Sequence, residues 1–245
     1  MSELTLGPSI AFHTVLVDLG GTLIDFFGNG TAAQMVPPSL SSVRDELFGR
    51  DPAGPPLSEL EDRWSHQKRD PMDLMARPLE DRLSYVFKID LRDQAAIERA
   101  CRAFMLPTFD QARLFEDALP FLRMLKDRDL RTVLVSNTAW GSPPHLWREQ
   151  LARHGIASYL DRTVFCRDVG WRKPHPRIFE HALAQAGAPP SDCLFVGDDP
   201  VWDVEGPKRM GMATVLLDRR MEWVGQGFDR ITGLNDIAEK GLLDR

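Results

Sequence analysis

Four short segments carry side chains whose types and spacing suit chemistry: Asp18-Leu19-Gly20-Gly21-Thr22, Ser136-Asn137, Lys173-Pro174-His175-Pro176, and Gly197-Asp198-Asp199 with Asp203 shortly after. The acidic trio Asp198, Asp199 and Asp203 makes sense around a hard divalent cation, which prefers oxygen ligands. Taken singly, each segment has a plainer reading. Asp18 before Gly-Gly fits a turn or a helix cap, and Asp198-Asp199 before Pro200 fits a capped helix start. Ser136-Asn137 is a common turn dipeptide, and an isolated lysine is usually solvated. The two readings part on where the segments fall relative to the elements that must hold them.

Five short apolar runs each suit a strand buried on both faces: Thr14–Val17, Thr132–Val135, Thr163–Cys166, Cys193–Val196 and Ala213–Leu217. Segments of helical period lie before the second run, marked by Phe121, Leu122 and Leu125, between the second and third, marked by Leu146, Trp147 and Leu151, and between the third and fourth, marked by Ile178, Phe179, Ala182 and Leu183. This β-α-β-α repetition predicts an α/β fold with a doubly wound parallel sheet, Rossmann-like in layout. The interval from about Gly28 to about Phe115 breaks the pattern. It shows no convincing strand, and three apolar faces predict helices: Leu57, Leu60 and Trp64; Leu79, Leu83, Val86 and Phe87; Ile97, Ala100, Cys101 and Phe104. Pro37-Pro38 and the segment 51–56 punctuate these helices, and Pro107 is expected to close the last one. The predicted organisation is a core of residues 1–27 and 114–245 with an all-helical module, 28–113, inserted after the first strand.

In an open parallel sheet, ligands bind beyond the carboxyl ends of the strands. Asp18-Leu-Gly-Gly-Thr22, Ser136-Asn137 and Gly197-Asp198-Asp199 follow the first, second and fourth runs, and Lys173-Pro-His-Pro176 precedes the helix leading to the fourth. In this order and at these places they resemble the haloacid dehalogenase superfamily of hydrolases, in the branch with a helical C1-type cap after the first strand, and the resemblance covers nearly the whole chain. It implies a phosphatase in which Asp18 is the nucleophile and forms an aspartyl-phosphate that water hydrolyses. It implies Mg²⁺ held by Asp18, the backbone carbonyl of Gly20 and Asp198, with Asp203 and Asp199 in or next to the coordination sphere. Lys173 would supply fixed positive charge. Ser136 and the backbone N–H groups of the loops at Gly21 and Asn137 would bind the phosphoryl oxygens, and Thr22 would orient the nucleophile loop.

Gly20 is a departure. Most phosphatases of this superfamily carry an aspartate two residues after the nucleophile, which protonates the leaving alcohol and then activates water. That help is worth about 10²–10⁴ in rate, roughly 3–5 kcal/mol. A glycine there favours substrates with good leaving groups, or a proton supplied by the cap, or a loss of turnover. Asp25, seven residues after Asp18, reads as a loop or hinge carboxylate. His13 lies at the amino end of the first strand, and His145 and His175 read as ordinary loop histidines. Arg63, Trp64, His66, Lys68, Arg69 and Arg77 form a basic and aromatic cluster in the module, which reads as a solvated helix face with Trp64 inside. Asn29, Thr31 and Gln34 stand at the entrance to the cap. Trp140, Trp147, Trp171 and Trp202 either pack the core or mark a subunit surface.

The chain has 245 residues, 43% of them apolar and 27% charged, with a formal net charge of −6, which rules out disorder as its main state and argues against a nucleic-acid or anionic-membrane binder. Its apolar runs are strand-sized, and the first dozen residues lack the pattern of a secretory signal, so a soluble cytoplasmic protein is expected. Cys101, Cys166 and Cys193 have no metal-binding or CxxC spacing and read as buried thiols. The expected partner is a small phosphorylated substrate, and a homodimer is left open. Two other functions compete: a metal-free 2-haloacid dehalogenase, against which the acidic trio argues, and a catalytically weak protein that binds a phospho-ligand or another protein, for which Gly20 is the only support. Phosphonate cleavage would need a cap lysine, Lys68 or Lys88.

Overall fold

The structure, a computed structural model, describes residues 12–28, 30–49, 54–67 and 72–243. Asn29, Lys68 and Arg69 lie outside the described residues. Each predicted apolar run forms a strand: β1 (Thr14–Val17), β4 (Arg131–Ser136), β5 (Arg162–Phe165), β6 (Cys193–Gly197) and β7 (Ala213–Leu217). With the short edge strand β8 (Arg230–Ile231) they make a six-stranded sheet in the order β5-β4-β1-β6-β7-β8, parallel throughout. β1 sits between β4 and β6, with Val17 beside Leu134 and Val196.

Alternation along β1 explains why these runs carry no polar residues. Val15 and Val17 join one apolar cluster with α5 (Ala118–Asp127) and α6 (Pro144–Arg153), while Leu16 joins another with α8 (Pro176–Ala186). A strand covered by helices on both faces has no solvent side to mark with charge. The short helices α7 (Cys166–Val169), α9 (Gly206–Arg209) and α10 (Asp236–Glu239) complete the crossovers and the carboxyl end.

Between β1 and β4 the chain forms β2 (Ile24–Asp25), four helices, α1 (Val36–Phe48), α2 (Leu57–His66), α3 (Leu79–Phe87) and α4 (Gln94–Gln111), and β3 (Arg113–Leu114). β2 and β3 pair antiparallel, Ile24 with Leu114 and Asp25 with Arg113, where the chain leaves for the helices and returns. The pair lies within and beside an interval read as strandless, because two residues leave no periodicity to detect. Pro37 and Pro38 fall in the first turn of α1, where a missing N–H costs nothing. Pro107 does not close α4, which runs four residues further. Buried Thr108 and Phe109 carry the helix through, and Phe109 packs its ring against Trp147 at 5.3 Å between centroids, with Phe26 against the same indole at 5.0 Å. That tertiary contact outweighs the local cost of proline.

Module and core are tied together at several points. Arg102 on α4 forms a two-pronged pair with Glu149 on α6, at 2.7 and 2.8 Å, and Arg167 on α7 grips Glu80 on α3 at 2.9 and 3.0 Å. Backbone bonds join Ala76 N–H to the Gly170 carbonyl and Arg172 N–H to the Leu74 carbonyl. Trp64 stacks on Phe104 inside the module, Arg63 donates to the Val86 carbonyl, and Arg77 pairs with Asp73, so the described part of the basic cluster is used within the module. All three cysteines are buried and unpaired.

Asp117, just before α5, ties the loop after β7 to the core. It accepts both terminal nitrogens of Arg219, at 2.9 and 2.8 Å, and the N–H of Leu234. Burial would raise its carboxyl pKa, but the guanidinium and the N–H prevail and hold it below the usual carboxylate range. A depressed folded pKa contributes stability above the unfolded value that disappears as pH falls through the folded one. Asp117→Asn should therefore lower the melting temperature at pH 7 and lose that deficit as pH is brought toward 3. A deficit that persists in acid would show that the pair's charge does not matter.

Candidate active site

The carboxyl ends of β1, β4 and β6 converge on a cavity of about 990 Å³ whose lining includes Asp18, Ser136, Lys173, Asp198 and Asp203. Asp18 directly follows β1, with its N–H bonded to the Val196 carbonyl at the end of β6. Lys173 is 1% exposed and donates from Nζ to Asp18 Oδ1 and to Asp203 Oδ1, each at 2.6 Å. Burial alone would favour the neutral amine, but the two carboxylates reverse that and hold the ammonium charged well above its ordinary range.

Asp18, Asp198 and Asp203 each offer an oxygen within 4.8 Å of the others. Burial, then the charge of neighbouring carboxylates, raises the pKa of Asp198. Asp203 moves the same way because burial outweighs the opposing pull of Lys173. Three carboxylates facing one ammonium, Asp18 and Asp203 buried and Asp198 half-buried, are under-neutralised, and a divalent cation fits that deficit. The backbone is shaped to bring them together. Gly21 has φ +82°, and a Cβ built there would lie 2.1 Å from Asp198 Oδ2. At Gly197 a Cβ would fall 2.4 Å from Asp203 Cγ. Only glycine lets the loop after β1 and the end of β6 approach those carboxylates so closely.

Thr22 is buried and donates to Asp198 Oδ1 at 3.2 Å, so it orients a carboxylate as well as its own loop. Asn137 lines the cavity but commits its amide to the Lys173 backbone: Oδ1 accepts the Lys173 N–H at 2.8 Å, and Nδ2 donates to the Lys173 carbonyl at 3.2 Å. Asp199 is not brought into the acidic group. Its Oδ1 accepts the N–H groups of Val201 and Trp202, capping the π-helical segment Pro200–Glu205, while its own N–H holds Asp203 Oδ2 at 3.1 Å. Asp25 accepts the N–H groups of Phe27 and Gly28, the expected loop role. Gly20 is exposed toward the cavity, and a Cβ there would meet only the Phe26 ring, at 3.5 Å.

His145 pairs with Glu98 at 3.0 Å on the surface, and His175 caps α8 and stacks on Trp171. Thr31 and Gln34 bond to each other. Trp147 is buried, and with Trp140 and Trp202 it lines the cavity. Lys88 is exposed at the end of α3 and does not line the cavity. Sequence reading passed over the cavity arginines Arg82, Arg172, Arg219 and Arg220, since nothing in local spacing separates them from surface arginines.

Residues 12–211 match the family model of haloacid dehalogenase-like hydrolases. The chain belongs to that family. A phosphoserine phosphatase from Thermus thermophilus is 30% identical over 66% of this chain and 65% of its own length. A glyceraldehyde 3-phosphate phosphatase from Methanopyrus kandleri is 31% identical over 45% of this chain and 46% of its own, so the chain spans between about half and two thirds of these curated relatives. Among solved structures, a 2-haloacid dehalogenase from Pseudomonas syringae superposes with a TM-score of 0.67 at 22% identity, covering 93% of this chain and 97% of that one. The hydrolase fold is therefore shared by chemically different members, and the choice among them rests on site residues. No described helix is long and apolar enough to cross a membrane.

A crowded carboxylate group binds a divalent cation at the expense of stability in its absence. In Mg²⁺ at a hundredfold excess over Kd, the native chain should gain about 3 kcal/mol over EDTA, read as a rise of about 5–10 °C in melting temperature. Asp198→Asn should melt at or above the native chain in EDTA and lose the Mg²⁺ response. A full response in the variant would exclude Asp198 as a ligand.

Proposed function

We propose that the chain is a Mg²⁺-dependent phosphatase of small phosphorylated metabolites. The observation that carries this reading is the group of Asp18, Asp198 and Asp203 around the buried Lys173 at the strand ends, in a chain whose curated relatives include a phosphoserine phosphatase and a glyceraldehyde 3-phosphate phosphatase. The same acidic group counts against a metal-free dehalogenase.

In the first step a carboxylate oxygen of Asp18 forms a bond to phosphorus as the phosphorus–oxygen bond to the leaving group breaks. In the second, water attacks the aspartyl-phosphate, the bond to Asp18 breaks, and inorganic phosphate leaves. Asp18 Oδ1 accepts a hydrogen bond from Lys173 Nζ, which fixes the carboxylate and leaves Oδ2 for attack. Lys173 also places a permanent positive charge beside the transferring oxygens. Mg²⁺, with Asp18, Asp198 and the Gly20 carbonyl as ligands and Asp203 supporting, would supply the charge that lets a carboxylate approach a phosphate dianion. Asp203, bonded to both Lys173 and the Asp199 N–H, holds the ammonium in place. Ser136, at the carboxyl end of β4 and on the cavity, together with the N–H groups of the Gly21 and Asn137 loops, is the donor set for the phosphoryl oxygens.

No carboxylate occupies position 20, and Asp25 is engaged in its own turn. The leaving oxygen then departs without a side-chain acid at this position, which favours acyl phosphates, sugar 1-phosphates and other esters with good leaving groups.

Para-nitrophenyl phosphate and acetyl phosphate should both turn over in Mg²⁺ and not in EDTA, and Asp18→Asn should remove the activity. Absence of turnover with Mg²⁺ bound would overturn the phosphatase reading. Gly20 is not at positive φ and has room for a side chain. Gly20→Asp should therefore raise kcat/KM for an alkyl phosphate by about 10²-fold while changing para-nitrophenyl phosphate much less. Equal effects on both esters would show that protonation of the leaving group is not what Gly20 forgoes.

A further inference from the structure

The cavity contains a cation that phosphoryl transfer does not use. Lys173 is matched by Asp18 and Asp203, and Arg219 by Asp117. Arg172 lines the same cavity, yet among the described residues no carboxylate lies within ion-pair distance of its guanidinium, and that group donates no hydrogen bond. The Trp202 ring faces it, with its centroid 5.7 Å from the guanidinium carbon. The backbone beneath it is fixed on both sides: the N–H donates to the Leu74 carbonyl at 2.8 Å, the carbonyl accepts from His175 N–H at 2.8 Å, and the next residue is clamped by Asn137.

A half-buried guanidinium without a counter-ion has lost hydration that its surroundings do not replace. Its planar fork, set against an aromatic wall and on a fixed backbone, is preorganised to take a carboxylate or phosphate through two parallel bonds. Arg220 also faces the cavity, but it is exposed and already donates to the Gly28 carbonyl at 3.2 Å. We infer that Arg172 selects substrates that carry a second anionic group, a carboxylate or a second phosphate, in addition to the phosphoryl group transferred. The inference rests on the phosphatase reading for the position of that first group. It narrows the substrate class to phosphate monoesters that carry, besides the dianionic phosphoryl group transferred, a further carboxylate or phosphate separated from it.

The test is calorimetric binding in Mg²⁺ of three non-hydrolysable probes: 4-(phosphonomethyl)benzoate, its benzamide counterpart, and the corresponding para-bisphosphonate. The native chain should bind at least one of the two doubly anionic probes about tenfold more tightly than the amide, and the better of the two identifies the anion. Arg172→Gln should reduce that ratio to about twofold or less, and Arg172→Lys should keep part of it. Equal affinity of the native chain for all three probes overturns the inference, as does failure to bind any. It is also overturned if Arg172→Gln preserves the ratio or weakens all three probes equally, or if Arg220→Gln removes the preference. If Arg172→Gln does not fold, the native ratio and the Arg172→Lys and Arg220→Gln variants decide in the same sense. Turnover of the matching aryl phosphates is read separately. Its absence with the binding preference intact removes the hydrolase reading and leaves the second-anion site standing.

Discussion

The molecule is organised around a buried ammonium held between two buried carboxylates at the wall of the cavity. Lys173 reaches Asp18 at the end of β1 and Asp203 beyond the end of β6, so one side chain joins three stretches of chain that are far apart in sequence. Removing charges from water is costly, and a pair of this kind is tolerated only with close geometry and further hydrogen bonds. Those bonds are present. Asn137 fixes the lysine backbone, Asp199 N–H holds the second oxygen of Asp203, and Asp18 is tied through its own N–H to β6. Breaking such a group by deleting one member typically costs about 3–5 kcal/mol, because the others stay buried without their partner.

The charge centre also dictates where the backbone must be bare. Gly21 and Gly197 allow main chain to lie against Asp198 and Asp203 at distances no Cβ permits. The resulting crowding, three carboxylates to one ammonium, is a poor arrangement for stability and a good one for capturing a divalent cation and a phosphate together. The helical insertion closes on the same loop. Its segment 74–76 bonds to Gly170 and Arg172, next to Lys173, so the position of the insertion and the position of the lysine are mechanically linked.

How much of this the sequence discloses depends on the range of the interaction involved. The strands were readable because burial on both faces removes all polar residues from a run, and Thr14–Val17 and Ala213–Leu217 form strands over the very residues expected. The site segments were readable because an open parallel sheet collects its functional groups at strand ends. Contacts between distant elements left weaker traces. α1 buries only Ser39, Leu40 and Val43, too thin a stripe to stand out, and the proline in α4 is overridden by Phe109 packing on Trp147. Asp199 and Asn137 share residue type and neighbourhood with the functional groups, but only three-dimensional structure reveals that one caps a helix and the other clamps a lysine. Arg172 and Arg219 look alike in sequence, and it is Asp117, some hundred residues away, that neutralises one and not the other.

Gly20 and Phe26 are best understood together. Phe26 is buried with Phe109 and Trp147 at the root of the insertion, and its ring edge stands over the position where a side chain on residue 20 would begin. An aromatic edge beside a carboxylic acid would favour the protonated form, the state an acid catalyst needs, so the surroundings are not hostile to an aspartate there. The glycine is therefore not forced by space or backbone conformation, unlike Gly21 one residue later. A position that packing leaves free, within a site whose other members are tightly constrained, points to chemistry rather than folding as the reason for its residue. A bare position 20 is what the proposed preference for leaving groups that depart without borrowing a proton requires.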